Sequence, residues 1–216
     1  MPKIDVSYLS IIKKLYYQKK MSMNAIALEL GVSIDAVCYF MRKNKLQRRT
    51  VKENEAIKFE KKALSYKLQK NLSRSDERLK LAGVMLYWAE GYKTHKSAGI
   101  DLANSDPQMI EVFIDFLRGI CGVSSNRLRV LLYCYSNQNI DELVDFWSEL
   151  TRIPKSQFTK PYVRKDFRVE KYGKMQYGMV HIRYSDKKLL SQLMSWIREF
   201  QREYCVGTQV VNEGGL

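Results

Sequence analysis

The apolar positions of residues 23–42 recur at helical spacing on either side of a central glycine and predict two short helices joined by a turn. Gly31 occupies the turn, where a positive φ is needed that glycine adopts without strain, and Ala27 is small where the two helices must touch. Ser33 is placed to cap the second helix. The apolar sides of both helices are supplied by Ile26, Leu30, Val32, Val37 and Phe40. The pattern predicts a helix-turn-helix domain over residues 1–50, with a generic three-helix core fragment as the alternative.

The segment that follows is rich in charged residues and has apolar residues at helical spacing on one side only, at Ala56, Phe59, Ala63 and Leu68. It predicts a basic linker helix over residues 51–75, and a disordered charged linker is the alternative. Ser75 is followed by two acidic residues, which is the composition of a helix N-cap and first turn. A second domain is therefore expected over residues 76–202, before a mobile tail over 203–216.

Helical and strand-like patterns alternate through the second domain. The predicted helices cover about 76–92, 106–120, 139–151 and 187–202, and the predicted strands cover about 98–103, 128–135 and 177–184. The stretches that begin at Ile100 and Val180 share a strand–Ser–Asp–helix order, which suggests two helices packed with pseudo-twofold symmetry on one face of a mixed sheet. Chance similarity of two amphipathic helices is the alternative. The chain is expected to be α+β, with an all-α N-terminal domain before a mixed α/β domain whose helices cover one face of an antiparallel-type sheet.

Basic residues are concentrated towards the N-terminal end of the chain. The formal net charge is +14, and residues 1–75 alone hold 17 basic and 6 acidic residues. A basic third with a helix-turn-helix pattern is typical of a module that binds nucleic-acid phosphates, so double-stranded DNA is the predicted partner. On the reading face of the second helix, the candidate DNA-contacting residues are Ser33, Ile34, Asp35, Cys38, Tyr39 and Arg42. Candidate phosphate contacts are Lys43, Lys45, Arg48 and Arg49 directly after that helix, and Lys160, Arg164 and Lys165 in a later basic loop.

Cysteine and histidine usage argues against a zinc site. The four cysteines show no CxxC spacing and the chain has only two histidines, so neither structural zinc nor a disulfide framework is expected. No apolar run approaches the roughly 20 residues that span a bilayer, and the first residues lack the apolar stretch of a signal peptide. The sequence predicts a cytoplasmic protein with no membrane partner.

Residues 81–93, LAGVMLYWAEGYK, combine a nearly uniform apolar helix with a single acid at its end. A helix that is apolar all round must be buried on more than one side. Glu90 is followed by Gly91, a typical C-cap, so its carboxylate faces the negative end of the helix dipole unless a cation offsets it. Mg²⁺ bound between two such helix ends and phosphate would be such a cation. The alternative is a solvated last-turn residue or an ion-pair partner for Lys93 or Lys96.

The end of this segment resembles the signature helix of LAGLIDADG-type homing endonucleases. Ala89-Glu90-Gly91 matches the small–acid–glycine ending of that motif, with Glu in place of the usual Asp, while Leu81-Ala82-Gly83 repeats its opening letters two residues too early. The resemblance covers roughly residues 76–202 and implies a domain whose 81–90 helix forms a homodimer interface. It further implies that Glu90 is a catalytic residue and a ligand of Mg²⁺, in a protein that binds DNA sequence-specifically and cleaves it.

Three features depart from that family's pattern, and one of them is an apparent insertion over residues 139–170. Trp88 occupies the position of the motif's first Asp, and residues 94–103 leave room for only one short strand after the helix. Members of the family that became transcription regulators keep the fold and lose cleavage, so a non-catalytic DNA-binding regulator is the alternative function. A more distant alternative is a resolvase-like or transposon accessory protein that uses only the N-terminal module. A second acid for cleavage would come from a homodimer or from within the chain, since residues 145–152 mimic 86–93 and place Glu149 against Glu90.

Overall fold

Helices build the first part of the chain, whereas helices and a four-stranded sheet build the rest, so the protein is of mixed α and β structure. The computed structural model describes residues 4–94, 96–164 and 175–204. The chain divides into two compact units, Met1–Ala63 and Leu64–Leu216. In these described ranges, no single helix combines the length and the apolar composition needed to cross a membrane.

The first unit is helical. Helix α1 (Leu9–Lys13) continues as a π-helical turn over Lys14–Gln18, and α2 (Met23–Leu30), α3 (Ile34–Lys43) and α4 (Val51–Lys61) follow. Between α2 and α3, whose directions differ by 110°, Gly31 adopts a φ of +64°. The Ser33 hydroxyl accepts a hydrogen bond from the Ala36 N–H at the start of α3. The turn glycine and the cap predicted from sequence are therefore confirmed, over a core that consists of Ile12, Leu15, Tyr16, Ile26, Ala27, Val37, Phe40 and Met41.

The helix predicted over residues 51–75 is wrong in its second half. Helix α4 begins after Thr50, which forms a capping box with Glu53, and ends at Lys61. Beyond it, the backbone N–H groups of Lys67 and Gln69 donate to the carbonyls of Gly122 and Ile120 in the second unit. The apolar residues of this stretch pack against the core of the second unit, at Tyr66, Leu68 and Leu72. Tertiary packing thus overrides the helical spacing of the sequence.

The second unit contains the predicted elements in the predicted order and one further strand. Helix α5 covers Arg74–Glu90 and is capped by Ser73 in a capping box with Asp76, so the cap predicted at Ser75 is two residues too late. The later elements are β1 (Ile100–Asn104), α6 (Pro107–Asp115, followed by a π-helical turn over Phe116–Ile120), β2 (Arg129–Tyr135), α7 (Ile140–Thr151), β3 (Tyr162–Arg164), β4 (Met179–Tyr184) and α8 (Lys187–Tyr204). The additional strand β3 has only three residues, which is too short for a recognisable alternating pattern. The tail predicted from residue 203 lies outside the described residues, apart from the last two residues of α8.

The four strands form a mixed sheet in the order β1-β4-β2-β3. The pairs β1–β4 and β4–β2 are antiparallel, whereas β2 and β3 are parallel. Because side chains alternate along a strand, one face of the sheet is apolar and joins the residues of α5, α6 and α8 in one core. That face is formed by Ile100, Leu102, Val130, Leu132, Val180 and Ile182. The opposite face, which we call the outer face, includes Asp101, Arg129, Tyr133, His181 and Arg183.

Candidate nucleic-acid interface

Helix α3 separates the predicted DNA-contacting residues from its buried side. Val37, Phe40 and Met41 enter the core of the first unit, while the candidates Ile34, Asp35, Tyr39 and Arg42 are exposed. Tyr39 exposes 57% of its surface, and the Arg42 guanidinium lies 5.8 Å from the centre of its ring. This cation–π contact restricts a long flexible side chain, so that Arg42 is held on the exposed face.

Two other candidates on α3 have local structural roles. The Ser33 hydroxyl caps the helix, 3.1 Å from the Ala36 nitrogen. Cys38 is half-buried, and its sulfur lies 3.6 Å from the sulfur of Met23 in α2. Ser33 therefore stabilises the start of α3, and Cys38 contributes to the pairing of α3 with α2.

The cations that follow α3 are of two kinds. Lys43, Lys45 and Arg48 are exposed, as phosphate-binding side chains must be. Their segment is anchored by the Tyr17 hydroxyl, which donates to the Gln47 carbonyl at 2.7 Å. The fourth candidate, Arg49, differs from the other three.

Arg49 is built into the first unit. Its guanidinium lies 4.1 Å from the centre of the Tyr16 ring and donates to the Met21 carbonyl, and its backbone N–H donates to the Tyr16 hydroxyl at 2.8 Å. The Nε and Nη1 atoms are buried and have no hydrogen-bond partner among the described residues. The Arg49 guanidinium is thus bound by groups of its own unit, and its role in phosphate binding stays a prediction.

The three basic candidates of the later loop belong to the second unit. Lys160 is exposed just before β3, and Arg164 is half-buried, with its guanidinium 5.7 Å from the centre of the Tyr135 ring. Lys165 lies outside the described residues. The sequence grouped these residues with the DNA-contacting set on charge alone.

Glu90 is exposed at the last position of α5. The following Gly91 has an extended backbone, with φ −78° and ψ 147°, so it ends the helix without the left-handed conformation common at helix C-termini. The Lys93 ammonium donates to the carbonyls of Trp88 and Gly91, at 2.9 and 2.7 Å, and is therefore the cation at this helix end. Within the described residues, no group of three or more Asp, Glu, His or Cys side chains is arranged to hold a metal ion. One carboxylate fits Mg²⁺ only if phosphate oxygens or a second copy complete its coordination.

Gly83 packs against a side chain of its own unit. It is buried in α5, and a Cβ atom at this position would lie 2.1 Å from Cγ of Phe116. The small residue thus accommodates a ring of the same chain, whereas Leu81 is 49% exposed on another side of the helix. A dimer contact through residues 81–90 would therefore use the side of α5 that includes Leu81.

A polar network on the outer face of the sheet was missed at the sequence level. His181 Nδ1 lies 2.8 Å from Asp101 Oδ1, and Arg183 Nε donates to Asp101 Oδ2 at 2.9 Å. His181 is only 4% exposed. Alternation along each strand marks these positions as polar, but only the register between β1 and β4 brings the three side chains together.

Comparison of the chain with protein-family models, curated proteins and solved structures yields no match.

Proposed function

We propose that the protein binds double-stranded DNA sequence-specifically, with α2 and α3 as a helix-turn-helix and α3 as its reading helix. The observation that carries this proposal is the geometry of the helix pair: a turn of three residues through Gly31 and a change of direction of 110°. Helix-turn-helix motifs have angles of about 90–120° and turns of this length. The exposed side of α3 presents Tyr39 and Arg42, and the charge of the N-terminal third is strongly positive.

Each exposed side chain has a distinct role in this proposal. Arg42 has the fork geometry that pairs with the O6 and N7 atoms of guanine in the major groove, and Tyr39 orients it. Ile34, at the N-terminal end of α3, suits apolar contact with a thymine methyl group. Lys43, Lys45 and Arg48 bind phosphates beside the groove and contribute affinity without sequence preference.

The test compares charge removal at three positions. A target duplex is first selected from a random library with the full chain, and binding is then followed by fluorescence anisotropy over a salt series. Arg42→Ala should weaken specific binding by about 1–3 kcal/mol and relax the preference at one base pair, whereas Arg48→Ala should weaken all duplexes similarly and lower the salt slope by about 1. Arg198→Ala, which removes an exposed charge from α8, is the control and should change neither quantity. Unchanged specificity in Arg42→Ala would refute α3 as the reading helix.

DNA cleavage is the second candidate function. The favouring observation is the exposed carboxylate of Glu90 at a helix end whose carbonyls are already bound by Lys93. Because Lys93 already offsets the helix dipole at that end, the exposed Glu90 carboxylate could hold Mg²⁺ against a DNA phosphate.

The two functions differ in the response of Glu90→Gln. In the cleavage case, wild type with Mg²⁺ cuts its selected duplex and Glu90→Gln binds without cutting. In the regulator case, wild type leaves the duplex intact and Glu90→Gln melts at or slightly above the wild-type temperature. A wild type that cuts and a variant that cuts equally well would exclude Glu90 as the metal ligand.

A further inference from the structure

Four rings cross the outer face of the sheet in one row. The row consists of Tyr92, just before β1, His181 in β4, Tyr133 in β2 and Tyr162 in β3, and we call it the ring row. Successive ring centres are 5.9, 4.9 and 4.9 Å apart, with interplanar angles of 31–39°. The row crosses the sheet in the order of its strands, and its rings come from β4, β2, β3 and the segment around Tyr92 that hydrogen-bonds to β1 at Asp101.

The rings at the two ends of the row are exposed, whereas Tyr133 is half-buried and His181 is buried. Tyr92 and Tyr162 expose 52% and 57% of their surfaces, whereas His181 exposes 4%. The two centre separations of 4.9 Å are close to the spacing of neighbouring strands, and these ring pairs are tilted rather than parallel. Each end ring has one neighbour in the row among the described residues, and its other face is the natural place for a further planar group to stack.

The end ring at β1 is held in place by the backbone. The Tyr92 N–H donates to the Asp101 carbonyl at 2.8 Å, and the Tyr92 carbonyl accepts the Tyr87 hydroxyl at 2.7 Å. Burial raises the pKa of Tyr87 to about 12, so this hydroxyl remains a donor throughout the neutral range. Stacking on Tyr92 therefore requires little further ordering of the chain.

Positive charge lies beside the ring row. Arg129 and Arg183 occupy directly paired positions of β2 and β4 on the outer face, and like charges in such pairs destabilise a sheet. Asp101 binds Arg183, whereas Arg129 is exposed and its Nη1 donates only to the backbone carbonyls of Asn126 and Leu128 among the contacts described. Among the described residues, the Asp101 carboxylate is thus the one that offsets these two guanidinium groups. Arg183 lies two residues from His181 along β4, and Arg129 lies four residues from Tyr133 along β2. A phosphodiester group would offset the remaining charge.

We propose that the outer face binds single-stranded nucleic acid, with unpaired bases stacked on Tyr92 and Tyr162 and a phosphate near Arg129 and Arg183. Aromatic rings beside a positive groove are the combination used by proteins that bind single strands without sequence preference. A duplex is excluded as the ligand of the rings, because its bases are stacked on each other and offer no faces along its length. The proposal concerns the second unit alone and does not depend on α3.

Binding of the full chain to single strands tests the proposal. The probe is a fluorescein-labelled oligothymidylate of about 16 nucleotides, which is the upper end of the site sizes of OB-fold domains. An oligouridylate and a blunt duplex of unrelated sequence are the competitors. Tyr162→Ala and Tyr92→Ala should each weaken binding of the oligothymidylate about tenfold, while Tyr162→Phe retains the ring and should bind like wild type. Arg42→Ala should leave this affinity unchanged, which separates the outer face from the proposed reading helix.

A cross-linking experiment on wild type avoids any effect of substitutions on folding. An oligonucleotide that contains 5-iodouracil is irradiated with the protein, and the modified peptides are identified by mass spectrometry. Adducts on Tyr92, Tyr133 or Tyr162 support the proposal. Adducts confined to residues 4–63, wild-type affinity in both alanine variants, or equal loss in Tyr162→Phe and Tyr162→Ala would each overturn it.

Discussion

Substitution of Gly83 gives the sharpest test of the packing of α5. A Cβ atom added there would lie 2.1 Å from Cγ and 2.5 Å from both Cδ atoms of the Phe116 ring. That ring is fully buried, and it packs against Phe113 and Trp196 with ring centres 5.9 and 6.3 Å away. The ring therefore has little room to retreat, and the added methyl group overpacks the core.

The magnitude follows from two opposed effects. Replacing a helical glycine by alanine favours the helix by about 1 kcal/mol, whereas overpacking a core costs about 1–3 kcal/mol. Because three ring atoms are contacted at once, we expect the upper part of that range and a net loss of about 1–2 kcal/mol for Gly83→Ala. For a unit of this size, the melting temperature of the second unit should fall by about 3–6 °C.

Gly119, an exposed glycine in the π-helical turn that packs on α5, provides the control. A Cβ atom on Gly119 would meet only Leu79 Cδ2, at 3.8 Å, which is an ordinary contact. Gly119→Ala should therefore raise the stability by about 0.5–1 kcal/mol. The assay is thermal unfolding of both variants by circular dichroism. A Gly83→Ala, Phe116→Leu double variant is also measured, and its loss of stability should be smaller than the sum of the losses in the two single variants. A Gly83→Ala variant as stable as wild type would refute this account of how α5 packs.

Three further predictions concern individual side chains. Ser33→Ala removes the α3 cap and should destabilise the first unit by about 1 kcal/mol, measured by thermal unfolding. Arg49→Lys loses the stacked guanidinium and should destabilise the first unit by about 1 kcal/mol, while the salt slope of DNA binding stays at the wild-type value. Burial alone would raise the pKa of Asp186, but hydrogen bonds from the Ser65 hydroxyl and from two backbone N–H groups outweigh it and lower that pKa. The stabilisation by ionised Asp186 is thus present above the unfolded pKa of about 3.9 and is lost as the pH falls through the folded pKa. The difference in unfolding free energy between wild type and Asp186→Asn, measured with urea, should therefore shrink below about pH 4.

The parts of the fold that local chemistry decides could be predicted from sequence. A turn that needs positive φ selects Gly31, and the orphan N–H groups of a helix start select Ser33 as the cap. These signals lie within a few residues of the structure they create. They require no knowledge of the rest of the chain.

The repeated strand–Ser–Asp–helix order also has a structural counterpart. Asp106 caps α6 through the N–H groups two and three residues later, and Asp186 caps α8 in the same way. The strands that precede these caps, β1 and β4, are antiparallel neighbours, so the two strand–helix pieces start from opposite ends of one strand pair. The two aspartates differ in their surroundings, since Asp186 is buried and bonded to Ser65.

The suggested similarity between residues 86–93 and 145–152 has weaker support in the structure. Trp147 is fully buried and donates to the Tyr177 carbonyl, whereas Trp88 is half-buried against Phe200. Helix α7 ends at Arg152 in a left-handed conformation, while α5 ends at the extended Gly91. Shared letters therefore occupy different environments, because a few matching residues do not fix how a helix packs.

Contacts between residues that are distant in the sequence could not be predicted from the sequence patterns. The burial of Arg49 depends on Tyr16, which is 33 residues earlier, and the His181–Asp101 contact joins residues that are 80 positions apart. In both cases the sequence shows a charged or polar residue, and charge alone suggests an exposed role. Which of these side chains faces solvent is decided by packing and strand register, and these are properties of the whole unit.

Salt dependence distinguishes the two proposed surfaces on physical grounds. Binding through Lys43, Lys45 and Arg48 releases condensed counterions from a duplex, and its affinity should fall steeply as salt rises. At the outer face of the sheet, Tyr92 and Tyr162 supply stacking, which releases no counterions, and the main cations nearby are Arg129 and Arg183. Because a single strand also has a lower slope per neutralised phosphate, its binding should be much less sensitive to salt than that of the duplex. At high salt the outer face should therefore retain most of its affinity while specific duplex binding is largely lost, and equal slopes for both ligands would indicate that one basic surface binds them both.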